Sequence, residues 1–197
     1  MKLIIASNNA GKIREIKEIL GSHFDDVLSA REAGANIDPE ENADSFMGNA
    51  LIKAKAYAEL FPDDAVLADD SGLCVDALNG APGIYSARFA GEGHNDEANK
   101  KKLLEEMKDV PFEKRDAHFA CAMALVRSGK ADIEALGRVD GKIMFTERGE
   151  NGFGYDPLFL YEPAGLSFAE MDAESKNAVS HRHNALMLVL AALAEEI

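Results

Sequence analysis

Hydrophobic positions along the chain change period several times, and each change marks an element. Lys2–Ala6 is a short apolar run bounded by Ser7-Asn8-Asn9, which predicts a buried strand. From Lys12, apolar residues at Ile13, Ile16 and Ile19 or Leu20 fall at helical spacing, and Gly21 is expected to end that helix. Arg31–Asn42 is polar, contains Gly34 and Pro39, and reads as a loop. Asp44 or Ser45 is placed to cap a second helix carrying Phe46, Ala50, Lys53 or Ala54, and Tyr57. Ala65–Ala68 predicts another short buried strand, with Asp69-Asp70-Ser71-Gly72 expected to end it.

Asn79–Gly83 is a turn cluster, and Asn95–Met107 reads as a helix. Three β-prone runs follow, His118–Arg127, Asp132–Val139 and Lys142–Phe145, with glycines between them. Pro157–Tyr161 predicts a further strand, and Ser180 is placed to cap a last helix reaching Glu195. This order predicts an α/β protein with a mixed rather than all-parallel sheet. No internal repeat, low-complexity tract or Pro/Ser linker interrupts it, so one continuous fold over residues 1–197 is expected.

Composition narrows the function classes. The 197 residues are 47% hydrophobic, enough for a full core, which excludes disorder. Lys and Arg number 21 against 35 Asp and Glu, a formal charge of −14. Such a field repels phosphate backbones and argues against a nucleic-acid partner, but a small nucleotide needs only a few local cations and a metal. Cys74 and Cys121 cannot make a disulfide framework and are expected to be packing residues. The N-terminal apolar run is too short for a signal-peptide core of roughly 7 to 15 residues. Ala185–Ala194 has half of the ~20 residues that span a bilayer. No membrane partner and a reducing, cytoplasmic setting are therefore expected.

Common catalytic signatures are missing. Gly11-Lys12 lacks the earlier Gly and the following Ser/Thr of a Walker loop, Asn151–Pro157 lacks the third Gly of a dinucleotide fingerprint, and neither HExxH nor GxSxG occurs. Five segments still carry chemistry. Ser7–Lys12 lies at a strand-to-helix turn, where free N–H groups and the helix dipole favour an anion, although an ordinary cap would look the same. Asp69 and Asp70, adjacent on a strand, face opposite sides. One of them is suited to Mg²⁺ or to deprotonating a water, unless the segment is merely a turn. Glu40 and Glu41 offer a further carboxylate or a solvated loop. Asn151–Pro157 places Phe153 between two glycines, open to a flat ligand, with Asp156 free to hydrogen-bond; a hairpin with core aromatics is the alternative. His181 and Arg182 begin the last helix, where cations oppose the dipole, and Lys176 lies just before them.

In register over nearly the whole chain, these segments resemble the inosine/xanthosine triphosphate pyrophosphatases. The likeness lies in SNNAGK at 7–12, SFMGNALIKA at 45–54, ADDSGL at 68–73, NGAPGIYSARFAG at 79–91, NGFGYDPLF at 151–159 and KNAVSHR at 176–182. It implies two lobes around a long mixed sheet flanked by helices, with the active site in the cleft, and a homodimer. It also implies Mg²⁺-dependent attack of water on the α-phosphate of ITP, dITP or XTP, giving monophosphate and pyrophosphate. Carried over by position, Ser7, Asn8, Asn9, Ala10, Gly11 and Lys12 would cradle the triphosphate, with Lys53 a second cation. Asp70 would be the general base or a metal carboxylate, with Asp69 and Glu40 or Glu41 on the metal side and Ser71 on the substrate. Phe153, Gly154, Tyr155, Asp156, Lys176, His181 and Arg182 would form the base pocket.

Two positions depart from the family pattern: Asn8 stands where Gly is usual, and Gly48 where Glu commonly precedes Asn-Ala. Two other readings predict different behaviour. A pyrimidine triphosphate pyrophosphatase of the septum-inhibitor type would act on dTTP or UTP, and a nucleotide sensor would bind without turnover.

Overall fold

The computed structural model describes residues 2–20 and 23–196. Its elements in chain order are β1 (Lys2–Ile5), α1 (Ala10–Leu20), β2 (Asp26–Ser29), α2 (Phe46–Ala58), β3 (Ala65–Val75), α3 (Asp96–Glu106), β4 (Asp116–Val126), β5 (Ile133–Ile143), β6 (Phe159–Tyr161), β7 (Leu166–Ser167), α4 (Ala173–Asn177) and α5 (His181–Ala194). The strands form one seven-stranded sheet in the order β2-β1-β3-β4-β5-β6-β7. β1 pairs in parallel with β2 and β3, whereas β6 is antiparallel to β5 and β7, so the sheet is mixed. Gly21, the expected end of the first helix, lies outside the described residues.

The chain divides into two compact units, one of Met1–Asp70, Cys121–Gly137 and His181–Ile197, the other of Ser71–Ala120 and Arg138–Ser180. The boundary falls inside β3, β4 and β5. In the first unit, strand alternation sorts residues onto two faces. Leu3, Ile5, Ala65 and Leu67 pack with Ile16 and Leu20 of α1 and Ala185, Leu186 and Val189 of α5. Ile4, Ala6, Val66 and Ala68 pack with Ala50, Ala54 and Tyr57 of α2 on the other. The second unit has its own core, in which Phe119, Phe159 and Phe168 cluster with ring centroids 4.6–6.0 Å apart.

Three sequence expectations need correction. Asp69–Gly72 does not end a strand; β3 runs through it to Val75. Those residues are poor strand formers, but β3 lies between β1 and β4, where its backbone is paired on both sides. The expected break between the second and third β-prone runs is likewise missing, because β5 is continuous through Gly137 and Gly141. Both glycines serve close approach rather than turning. A Cβ at Gly137 would lie 2.1 Å from His181 O, and one at Gly141 would lie 2.3 Å from Leu160 O. The last predicted strand begins two residues late, since Asp156–Leu158 forms a 3₁₀ turn before β6. Sequence reading also missed β2, β7 and α4, all five residues or shorter. The Ser45 cap is present, its hydroxyl accepting from Gly48 N–H at 3.2 Å.

Candidate active site

The site in the first unit is built on the parity of β3. Odd residues Ala65 and Leu67 face α1 and α5, and Asp69 continues that row; even residues Val66 and Ala68 face α2, and Asp70 continues theirs. Asp69 is 1% exposed and Asp70 8%. Asp69 Oδ2 lies 3.1 Å from Lys12 Nζ and 3.6 Å from an Arg182 nitrogen. Burial alone would raise its pKa, but the charges of Lys12, Arg182 and Lys53 outweigh that and hold the carboxyl well below the usual range. Arg182 also pairs with the buried carboxylate of Glu15 on α1. Burial disfavours its charge, yet Asp69 and Glu15 keep the guanidinium more firmly protonated than usual.

Asp70 sits differently. Burial pushes its pKa up, and Lys53, Lys12 and a hydrogen bond from Asn49 only partly offset this. That bond runs from Asn49 Nδ2 to Asp70 Oδ2 at 3.0 Å. Lys53, one turn further along α2, pairs with Glu41 at 3.0 Å. Burial opposes the Lys53 charge, but Asp69, Asp70 and Glu41 raise its pKa overall, so it remains an ammonium. One buried carboxylate is thus clamped by cations, and its neighbour is a better proton acceptor than an ordinary Asp.

Glu41 pairs with the Lys53 ammonium at 3.0 Å, so its oxygens already face a cation. Hard oxygen donors of this kind fit Mg²⁺, which takes one or two protein carboxylates and completes its shell with water and phosphate. Among the described residues, no group of three or more His, Cys, Asp or Glu gathers as a metal cage. Glu40 is exposed, and Asp69 is already committed to Lys12 and Arg182. Glu41 therefore fits the metal better than Glu40 or Asp69.

The turn from β1 to α1 carries the other predicted anion contacts. Asn9 caps α1, its side-chain oxygen accepting from Lys12 N–H at 3.1 Å, while Ser7 Oγ accepts from Asn9 N–H at 3.2 Å. The ordinary cap is thus real, and it aligns the first helical turn beside Lys12. Ala10 and Gly11 form that turn. Asn8, where Gly is usual, is exposed in this turn. Ser71 follows Asp70 in β3 and is half-buried.

In the second unit, the 151–157 loop is held from inside. Asp156 is engaged within the loop: Oδ2 accepts from Phe153 N–H at 3.0 Å and from Lys176 Nζ at 2.5 Å. Gly152 has φ +75°, and a Cβ there would lie 2.1 Å from that carboxylate. The buried Tyr155 donates to Ser86 O at 2.8 Å, and Asp96 accepts from Gly154 N–H at 3.0 Å. Phe153 remains half-buried, with the Lys176 ammonium 5.1 Å from its ring centroid. Tyr155, Asp156 and Lys176 shape the loop, and Phe153 is its flat outer group. His181 and Arg182, expected beside this loop, open α5 in the first unit, both buried, and Arg182 is committed to Glu15 and Asp69.

A model of the Ham1 family matches residues 3–192. The chain belongs to the Ham1 family. It is 49% identical over 186 residues to a dITP/XTP pyrophosphatase of Clostridium tetani, spanning 93% of this chain and 92% of the relative. A dITP/XTP pyrophosphatase of Exiguobacterium sibiricum is 46% identical over 98% of this chain and 97% of its own. The solved Ham1 protein of Staphylococcus aureus superposes over the full length of both chains with a TM-score of 0.88 at 41% identity. A nucleoside-triphosphatase / dITP/XTP pyrophosphatase of Mycobacterium abscessus covers 96% of this chain and 99% of its own, with a TM-score of 0.76 at 40% identity.

Within this Ham1-family fold, two residues of the cluster went unnoticed in the sequence. Asn49 had a legible signal, four residues before Lys53 and so on the same face of α2. Glu15 had a weaker one, a charge beside Ile16 on the buried side of α1. Its partner Arg182 is 167 positions away, and no local pattern reports that.

Proposed function

We propose that this chain hydrolyses deaminated purine nucleoside triphosphates, ITP, dITP and XTP, to the monophosphate and pyrophosphate, and so removes them from the nucleotide pool. The observation that carries the reading is the split of Asp69 and Asp70 across β3, one fixed among cations and the other buried on the opposite face, where it accepts from Asn49. A triphosphate brings about four negative charges, and cations set in a water-poor site stabilise charge that shifts during phosphoryl transfer. Lys12, Lys53 and the first turn of α1 supply that stabilisation. Asp70 takes a proton from a water whose oxygen attacks the α-phosphorus; the bond to the β-phosphate oxygen breaks, and pyrophosphate leaves. Mg²⁺, held by Glu41, would neutralise phosphate charge and help orient the triphosphate. In the second unit, the exposed part of Phe153 offers a stacking face for a purine.

The resemblance to the triphosphate pyrophosphatases also supports a single functional domain over residues 1–197, a homodimer and a cytoplasmic setting. Among the described residues, no helix is long and apolar enough to cross a membrane.

The test is Asp70→Asn, which keeps the shape and removes the base. Turnover of ITP with Mg²⁺ should fall at least about 1,000-fold, within the range that general base catalysis supplies, while nucleotide affinity changes little. Near-normal turnover would remove Asp70 from the chemistry.

A further inference from the structure

Asn49 is 2% exposed, and both ends of its amide are engaged. Ala43 N–H donates to Oδ1 at 3.0 Å, and Nδ2 donates to Asp70 Oδ2 at 3.0 Å. The first bond settles the orientation of the amide. Turning it over would set an NH₂ group against an N–H and leave Asp70 facing an oxygen. The loop that carries Ala43 also carries Glu41, which pairs with Lys53 on the same helix. It closes onto α2 at Gly48, where a Cβ would lie 2.6 Å from Ala43 Cβ. Asn49 therefore joins three things: the start of α2, the loop bearing one acidic group, and the carboxylate bearing the other.

We infer that Asn49 is a positioning residue for Asp70. By occupying Oδ2 with an N–H donor, it fixes the carboxylate plane and leaves Oδ1 to take the proton from the attacking water. The inference rests on the reading of Asp70 as the base. It gives Asn49 a function separate from anchoring the loop, since anchoring uses only Oδ1.

Asn49→Asp separates the two roles. The variant keeps the shape and an oxygen for Ala43 N–H but has no donor for Asp70. With Mg²⁺ and ITP, its kcat should fall about 100-fold, the scale on which small misplacements of a catalytic group act. Its Kd for a non-hydrolysable α,β-imido analogue of ITP should stay within about 5-fold of wild type. Asn49→Ala, which removes both bonds without adding charge, should show the same division between kcat and Kd. A readout independent of turnover is the thermal midpoint of Asn49→Asp, of Asp70→Asn and of the double variant, in which the donor and acceptor are exchanged. The double variant should be more stable than the sum of the single effects.

Wild-type kcat in Asn49→Asp, or strictly additive midpoints, would overturn the inference. If Asp70→Asn retains turnover while the midpoints still couple, it is the reading of Asp70 that fails, and the contact between the two side chains stands.

Discussion

Arg182 shows how the meaning of one side chain depends on partners that sequence distance conceals. Its place at a helix start, where a cation opposes the dipole, marks it in the sequence as unusual. The family resemblance implies a place in a base pocket, and the structure adds that its guanidinium lies between Glu15 and Asp69. Removing one partner of a buried ion pair leaves a charge uncompensated and costs about 3–5 kcal/mol. Arg182→Met should lose stability on that scale in denaturant unfolding, because Glu15 then keeps a buried charge. A loss under about 1 kcal/mol would mean that the pair does not hold the cluster. Asp156 teaches the same lesson: the sequence places it beside Phe153 and the glycines, but only the fold brings Lys176 to its carboxylate.

At the scale of elements, the sequence pattern located the long helices α1, α2, α3 and α5 and, to within two residues, the start of every strand longer than four residues. It misjudged where strands stop. Asp69–Gly72 and the glycines of β5 are local stop signals, overridden because neighbouring strands and close packing demand continuity. Gly48 is the reverse case. Read alone, it weakens α2 by roughly 1 kcal/mol relative to alanine. In place, it admits Ala43 and lets the Glu41 loop close on the helix. Gly48→Ala should therefore gain helix propensity yet lose about 10-fold in turnover as the loop is pushed outward, a displacement of the kind that costs catalysis steeply. Undiminished turnover would show that the closeness of Ala43 to α2 is incidental.

For the whole molecule, a formal charge of −14 sits uneasily with an anionic substrate until the distribution is considered. Lys12, Lys53 and Arg182 gather around two buried carboxylates of β3, so local field rather than net charge governs what binds there. The family resemblance named most of these residues from the sequence. It could not show that Asp69 meets Lys12 and Arg182 while Asp70 meets Asn49, because that division arises from which face of the sheet each one meets. The most direct test is to incubate the purified protein with Mg²⁺ and ITP, with GTP and ATP in parallel, and to identify the products by phosphorus NMR. The account expects IMP and pyrophosphate, formed much faster from ITP than from the other two. Orthophosphate with IDP, or nucleotide binding with no turnover at all, would contradict it.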